Sequence, residues 1–185
     1  MKITSHTIKA AVASYWRYTR QCGIVAFESR THIHWGGELA DILVVTTTGP
    51  IVIEVKTSLS DFKRDRFKMC HKFLSRADHA SVREFFFAVP RDLANEISLL
   101  CGQIYPYAGV LGCNGPHDYN VEVHRKAKRF DCSPLKPEQV QDITRSQTAT
   151  LCRLAVKVAE QDDTEKRLRS ELKEYRQKER LEKES

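Results

Sequence analysis

The run Ile51-Val52-Ile53-Glu54-Val55-Lys56 constrains this chain more than any other stretch, because it reads as a buried strand that ends in charges. An apolar, β-branched sequence follows the turn signal Thr48-Gly49-Pro50, and an acid and a base then stand two apart where the pattern calls for more valine. Residues two apart share one face of a strand, so Glu54 and Lys56 point together and Val55 points into packing on the other side. Upstream, Leu39 to Thr46 forms a second apolar strand, and the short loop between the two predicts an antiparallel hairpin. If that loop is centred between Thr48 and Gly49, Asp41 lies opposite Lys56 and on the face of Glu54, with cross-strand Cβ atoms about 5 Å apart. Two carboxylates brought together at a strand end are costly unless a cation sits between them, which points to a divalent metal held by oxygen ligands.

Asp41, followed after a short hairpin by Glu54-Val55-Lys56, resembles the D…(D/E)-x-K signature of the PD-(D/E)XK nuclease superfamily. More narrowly, Leu39-Ala40-Asp41-Ile42, the segment Glu54 to Asp65, Lys68 and Phe85-Phe86-Phe87-Ala88-Val89-Pro90 are similar to the MmcB-related DNA repair proteins. The likeness spans residues 24–155. Acid-x-lysine triplets also occur at Asp61-Phe62-Lys63 and Glu171-Leu172-Lys173, but only Glu54-Val55-Lys56 ends an apolar strand preceded by a strand that carries an acid.

The resemblance implies a restriction-endonuclease-like α/β fold, a mixed central sheet flanked by helices. It also implies a Mg²⁺-dependent DNA nuclease of the repair or processing kind, with Mn²⁺ as a substitute metal. Asp41, Glu54 and Lys56 are the expected catalytic residues. Asp41, Glu54 and the Val55 carbonyl would hold the metal, which lowers the pKa of a bound water, and Lys56 would orient that water or stabilise the transition state. Related nucleases often add an acid from the first helix, but residues 1–27 contain no Asp or Glu. Glu28 is the nearest substitute, and Glu38 competes with it. Two rival readings remain: a nucleic-acid-binding or assembly module that kept the fold without turnover, and a dimeric structure-selective resolvase.

Charge supports a polyanionic partner. The formal net charge is +6, and Lys157 to Ser185 holds nine basic and nine acidic residues, so the whole excess belongs to the preceding part. After Lys56, Ser58 or Ser60 can cap a helix running to about Leu74. On it Asp61, Asp65 and Lys68 would share a face, while Lys63, Arg64, Lys68 and Lys72 would meet phosphate near the helix N-terminus. Arg125, Lys126 and Lys128, within the run Arg125 to Arg129, form a second candidate nucleic-acid patch. Six cysteines show no C-x-x-C pair or zinc-site histidine spacing, as in a reduced cytoplasmic protein, and His32, His34 and His71 read as incidental.

Ile8, Ala11, Val12, Tyr15, Trp16 and Thr19 recur at helical spacing, with Thr4 or Ser5 as N-cap and Gly23 as a stop. A first strand follows from Ile24 to Ser29 and continues toward Trp35, and Gly36-Gly37 turns it into the Asp41 strand. Glu84 to Val89 is a buried strand, Asp92 to Leu100 a helix, Ala108 to Gly112 the last core strand, Asn114-Gly115-Pro116 a turn and Val121 to His124 an edge strand. A long charged helix begins at Lys136, with Pro137 in its first turn. The expected organisation is a domain over 1–155 and a helical extension over 156–185, the latter available for a homodimer or a protein partner. No apolar run is long enough to span a bilayer.

Overall fold

The computed structural model describes residues 3–29, 39–76, 81–115 and 121–183. Two compact units appear, Met1–Thr144 and Arg145–Ser185. In the first, α1 (Ser5–Ser14) starts at an N-cap where the Thr4 hydroxyl accepts from the Thr7 N–H at 3.2 Å, and it runs into a π-helical turn over Tyr15–Thr19. β1 (Ile24–Ser29), β2 (Ala40–Thr46) and β3 (Gly49–Val55) form an antiparallel meander. A crossover made of α2 (Leu59–Arg64), a 3₁₀ turn (Asp65–Phe67) and α3 (Met69–Arg76) leads to β4 (Glu84–Pro90), parallel to β3. α4 (Arg91–Ile104) returns the chain to β5 (Gly109–Cys113), parallel to β4, and β6 (Glu122–Arg125) closes the row antiparallel to β5. The six strands stand in sequence order in one mixed sheet.

Helices cover both faces. Ile8, Ala11, Val12 and Trp16 pack on Ile42, Val44, Ile51, Ile53, Phe86 and Leu111. Phe62, Leu74, Ala94, Ile97 and Cys101 pack on Leu43, Val52, Phe85, Phe87 and Val110. Enclosure on both sides explains why β3 and Phe85-Phe86-Phe87 are apolar almost without interruption. β5 passes so close to β4 that a Cβ on Gly109 would lie 2.4 Å from the Phe86 ring. The expected edge strand forms as β6, over Glu122–Arg125, beside β5, the last strand inside the sheet.

Two local expectations change. Thr46 pairs with Gly49, so the hairpin turn is Thr47-Thr48; the Thr46 hydroxyl bonds the Gly49 carbonyl at 2.5 Å and receives the Thr48 N–H at 3.3 Å. Ile42 is then opposite Ile53, and one pair further Asp41 falls opposite Glu54 rather than Lys56. The slip is two residues, an even number, so Asp41 and Glu54 keep the same face.

The second change is in the segment expected as one helix to Leu74. It breaks at Lys68, whose backbone is extended (φ −67°, ψ 141°), so Asp61, Asp65 and Lys68 do not share the face of one helix. The Asp65 side chain turns inward at this break, where three cationic or donor groups receive it. The first helix is likewise shorter as an α-helix than its apolar spacing suggests, ending at Ser14. The expected continuation of β1 to Trp35, the Gly36-Gly37 turn, Glu38, His32, His34 and Pro116 lie outside the described residues.

The described residues of the second unit are all helical. α5 (Pro137–Lys183) begins with Pro137 at its first position, and its last buried residue among those described is Ile143. No helix among the described residues is long and apolar enough to cross a membrane.

Candidate functional site

Five polar or charged residues among those described are buried, and four of them, Glu54, Lys56, Asp65 and His71, meet at the C-terminal end of β3. Burying so many charges together is tolerated only if they satisfy one another. The Lys56 ammonium lies in an ion pair with Asp65 and 3.6 Å from Glu54. Lys68 pairs with Glu54 and lies 3.4 Å from Asp65. Asp65 Oδ2 also stands 2.6 Å from His71 Nε2, and His71 Nδ1 stands 2.6 Å from the Tyr107 hydroxyl.

Burial by itself would raise the Asp65 carboxyl, but His71, Lys56 and Lys68 outweigh it and bring the pKa down to about 2. An ionised Asp65 only accepts, so His71 Nε2 carries a proton and donates to it. Burial likewise pushes the Tyr107 phenol above its ordinary range, so it keeps its proton, and its hydroxyl lies within hydrogen-bond distance of His71 Nδ1. A chain of bonds thus runs from Tyr107 through His71 and Asp65 to Lys56. Glu54 responds differently: burial raises it to about 7, the neighbouring Asp41 charge adds to the rise, and Lys68 and Lys56 only partly oppose it. The attraction within that pair shows on Lys68, which burial would lower but Glu54 and Asp65 raise.

On the outer side, Asp41 Oδ2 accepts the Val55 N–H at 2.8 Å, tying β2 to the end of β3. Asp41 Oδ1 lies 2.9 Å from the Lys9 ammonium, which also bonds Glu28 Oε1 at 3.1 Å. β1 register sets Phe27 opposite Ile42 and Ser29 opposite Ala40, so Glu28 is level with Asp41, and Glu28, Asp41 and Glu54 form one row across three strands. Glu28 has φ 46°, an irregular point in its strand, and its carboxylate is largely exposed. The first helix therefore brings a cation, Lys9, to the place where an acid was sought.

The structure brings Asp41, Glu54, Lys56 and Lys68 together and adds Asp65, His71, Tyr107 and Lys9. Sequence reasoning assigned no role to Lys9 or Tyr107, placed Asp65 only on a helix face with Asp61 and Lys68, and set His71 aside. Their signal was weak: a mid-segment acid four residues after Asp61, and a histidine on an otherwise amphipathic helix. Lys63, Arg64 and Lys72 are exposed, and Arg64 and Phe67 help line an open cleft of about 320 Å³ that reaches Lys56, Asp65 and Lys68.

The other basic cluster sits elsewhere. Arg129 bonds Glu84 at the start of β4 at 2.9 Å, whereas Lys56 N–H bonds Ala88 near its end, about 13 Å along the strand. Arg125 donates to the carbonyls of Ala108 and Pro106, at 3.0 and 3.1 Å, and clips the sheet edge. Lys128 lies over the Phe130 ring, and Lys126 lines a separate hollow with Trp16 and Arg20.

As for a metal, the donors are hard oxygens of the kind that suit Mg²⁺, and a buried carboxyl raised to about 7 is one that a divalent cation would ionise. In this arrangement Lys9 and Lys68 neutralise those oxygens. Among the described residues no three Asp, Glu, His or Cys side chains converge as a ligand group. Of those donors, Asp41 and Glu54 are the two carboxylates that a metal could use, and each is paired with a lysine here.

No protein-family model and no curated protein matches the chain. Among solved structures it is similar to the SPO1766 protein of unknown function from Silicibacter pomeroyi, with a TM-score of 0.53 and 19% identity over 83% of this chain and 91% of that one. At that identity the likeness concerns the fold, a mixed sheet flanked by helices.

Proposed function

We propose that this protein is a metal-dependent deoxyribonuclease with a restriction-endonuclease-like core, acting in DNA repair or processing in the manner of the PD-(D/E)XK and MmcB-related proteins it resembles. The observation that carries the reading is the buried Glu54 carboxyl beside Asp41 and Lys56 at an open strand end, an expensive arrangement for a purely structural role. Mg²⁺ or Mn²⁺ bound by Asp41, Glu54 and the Val55 carbonyl, with Glu28 at the rim, would supply an activated water and charge for the scissile phosphate.

The chain's own residues do the remaining work. Asp65, fixed by His71, holds the Lys56 ammonium beside Glu54, so a positive charge stands ready where phosphate charge develops. Lys63, Arg64 and Lys72 give the exposed surface of α2 and α3 the sign that attracts a nucleic-acid backbone. A second reading, a nucleic-acid-binding module without turnover, is favoured by one specific observation: Lys9 and Lys68 already neutralise Asp41 and Glu54.

Cleavage of a panel of duplex, single-stranded and branched DNA, and of RNA, separates the two. The nuclease reading expects Mg²⁺-dependent cleavage that falls by at least about 100-fold in Asp41→Ala, Glu54→Ala and Lys56→Ala, with Ca²⁺ supporting binding only. Tight binding with no cleavage in Mg²⁺ or Mn²⁺ selects the second reading. Full activity in EDTA, or in a folded Glu54→Ala protein, removes the first.

A further inference from the structure

The second unit presents an apolar seam that none of its described residues buries. Leu151, Leu154, Val158, Leu168, Leu172 and Tyr175 are each between 49% and 67% exposed. With Gln161 and Glu165 they occupy alternating spacings of three and four along one uninterrupted helix. Residues so spaced fall on one side of a helix as the a and d positions of a heptad. The seam runs for about 36 Å at 1.5 Å per residue. A helix of such composition exposed all round gains little from propensity alone, and a packed partner supplies the missing stabilisation.

We infer that this seam is covered by a second copy of the same helix running antiparallel, centred on Asp163. The spacing reads the same in both directions, so an antiparallel copy sets Leu151 against Tyr175, Leu154 against Leu172 and Val158 against Leu168. Each apolar residue thus meets an apolar one, and Gln161 meets Glu165. In a parallel, in-register pair Glu165 would instead face its own copy inside the seam, where like charges lose their solvation. Antiparallel pairing gives that carboxylate the Gln161 amide, which can donate to it, while Arg169 of the same helix remains 2.5 Å from Glu165 at the seam's edge.

The flanking charges agree. Lys157 and Glu171, both at the g position, face each other across the interface, and the symmetry makes this pair twice. Asp162 meets its own copy at the opposite flank, but that contact is exposed and screened by salt. Parallel pairing would also offer exposed attractive pairs, Lys157 with Asp162 and Glu171 with Arg176. Such surface pairs contribute little beside the buried Glu165 layer.

Light scattering of the full chain across a concentration series tests the association, with dissociation expected on the order of micromolar because two polar layers interrupt the seam. Leu154→Glu/Leu172→Glu should leave a monomer whose first unit melts as before. Orientation is read by mixing Gln161→Cys and Glu165→Cys proteins, each in a Cys152→Ser background. A disulfide between unlike variants, with little in either variant alone, is the expected result. A monomer at about 100 μM, a dimer untouched by the double glutamate variant, or efficient Gln161→Cys self-crosslinking would each overturn the inference. None of these outcomes depends on nuclease activity.

Discussion

Asp65 and Glu54 share the lysines Lys56 and Lys68, yet burial and partners move them in opposite directions, and this sets how the metal-free protein responds to pH. Asp65 is held at about 2 against an ordinary 3.8. A depressed carboxyl stabilises the fold above the unfolded value and loses that contribution as pH falls toward the folded one, so about 2 kcal/mol disappears between pH 4 and 2. Glu54 is raised to about 7 from 4.5. Its contribution is complete below pH 4.5 and is lost as pH rises through 7, on the order of 3 kcal/mol. Melting temperature in EDTA should therefore peak near pH 4 to 5, and Glu54→Gln should flatten the decline between pH 5 and 8; a wild-type profile flat across that interval would contradict the assignment. On the proposed function, Mg²⁺ should raise the melting temperature more at pH 8 than at pH 5, since Glu54 would bind it as the ionised carboxylate. At this scale the sequence showed the acids and Lys56 because strand periodicity makes a charge in an apolar run conspicuous. It did not show Lys9, Asp65 or His71, whose roles depend on contacts between separate elements that no local pattern encodes.

Among the elements, β3 and β4 were legible because burial on both faces demands continuous apolar sequence, and α5 because its proline start and polar composition are local signals. The α2 to α3 segment was not legible as a broken helix. Its residues suit a continuous one, and the break follows from the inward turn of Asp65 toward groups on β3 and α3. The hairpin register was misjudged by two residues because the Thr46 hydroxyl, rather than Gly49, closes the turn. β5 offers the sharpest test of packing between elements. Gly109→Ala would drive a methyl group to 2.4 Å from Phe86 and 2.8 Å from the Ala127 nitrogen. Overpacking of this kind should lower stability by about 1 to 3 kcal/mol, measured by urea unfolding, without changing the slope of the transition.

For the whole molecule, the distribution of burial separates stability from the helical extension. Described residues beyond Ile143 bury no apolar side chain, so ending the chain at Glu160 should shift the melting temperature of the first unit by less than about 2 °C. The same truncation removes half of each seam and should abolish the self-association inferred above. A large loss of thermal stability would show that the extension supports the sheet.

The order in which the sheet is completed has a consequence for synthesis of the chain. β1, β2 and β3 can pair as soon as they emerge, but the other edge of β3 waits for β4, whose first residue follows the end of β3 by 29 positions. During that interval a strand with no polar residue before Glu54 exposes unpaired backbone groups, the condition under which nascent chains associate with one another. Released fragments of the chain ending between Lys56 and Arg83 should accordingly bind chaperones, and those that include all of β4 should bind them less.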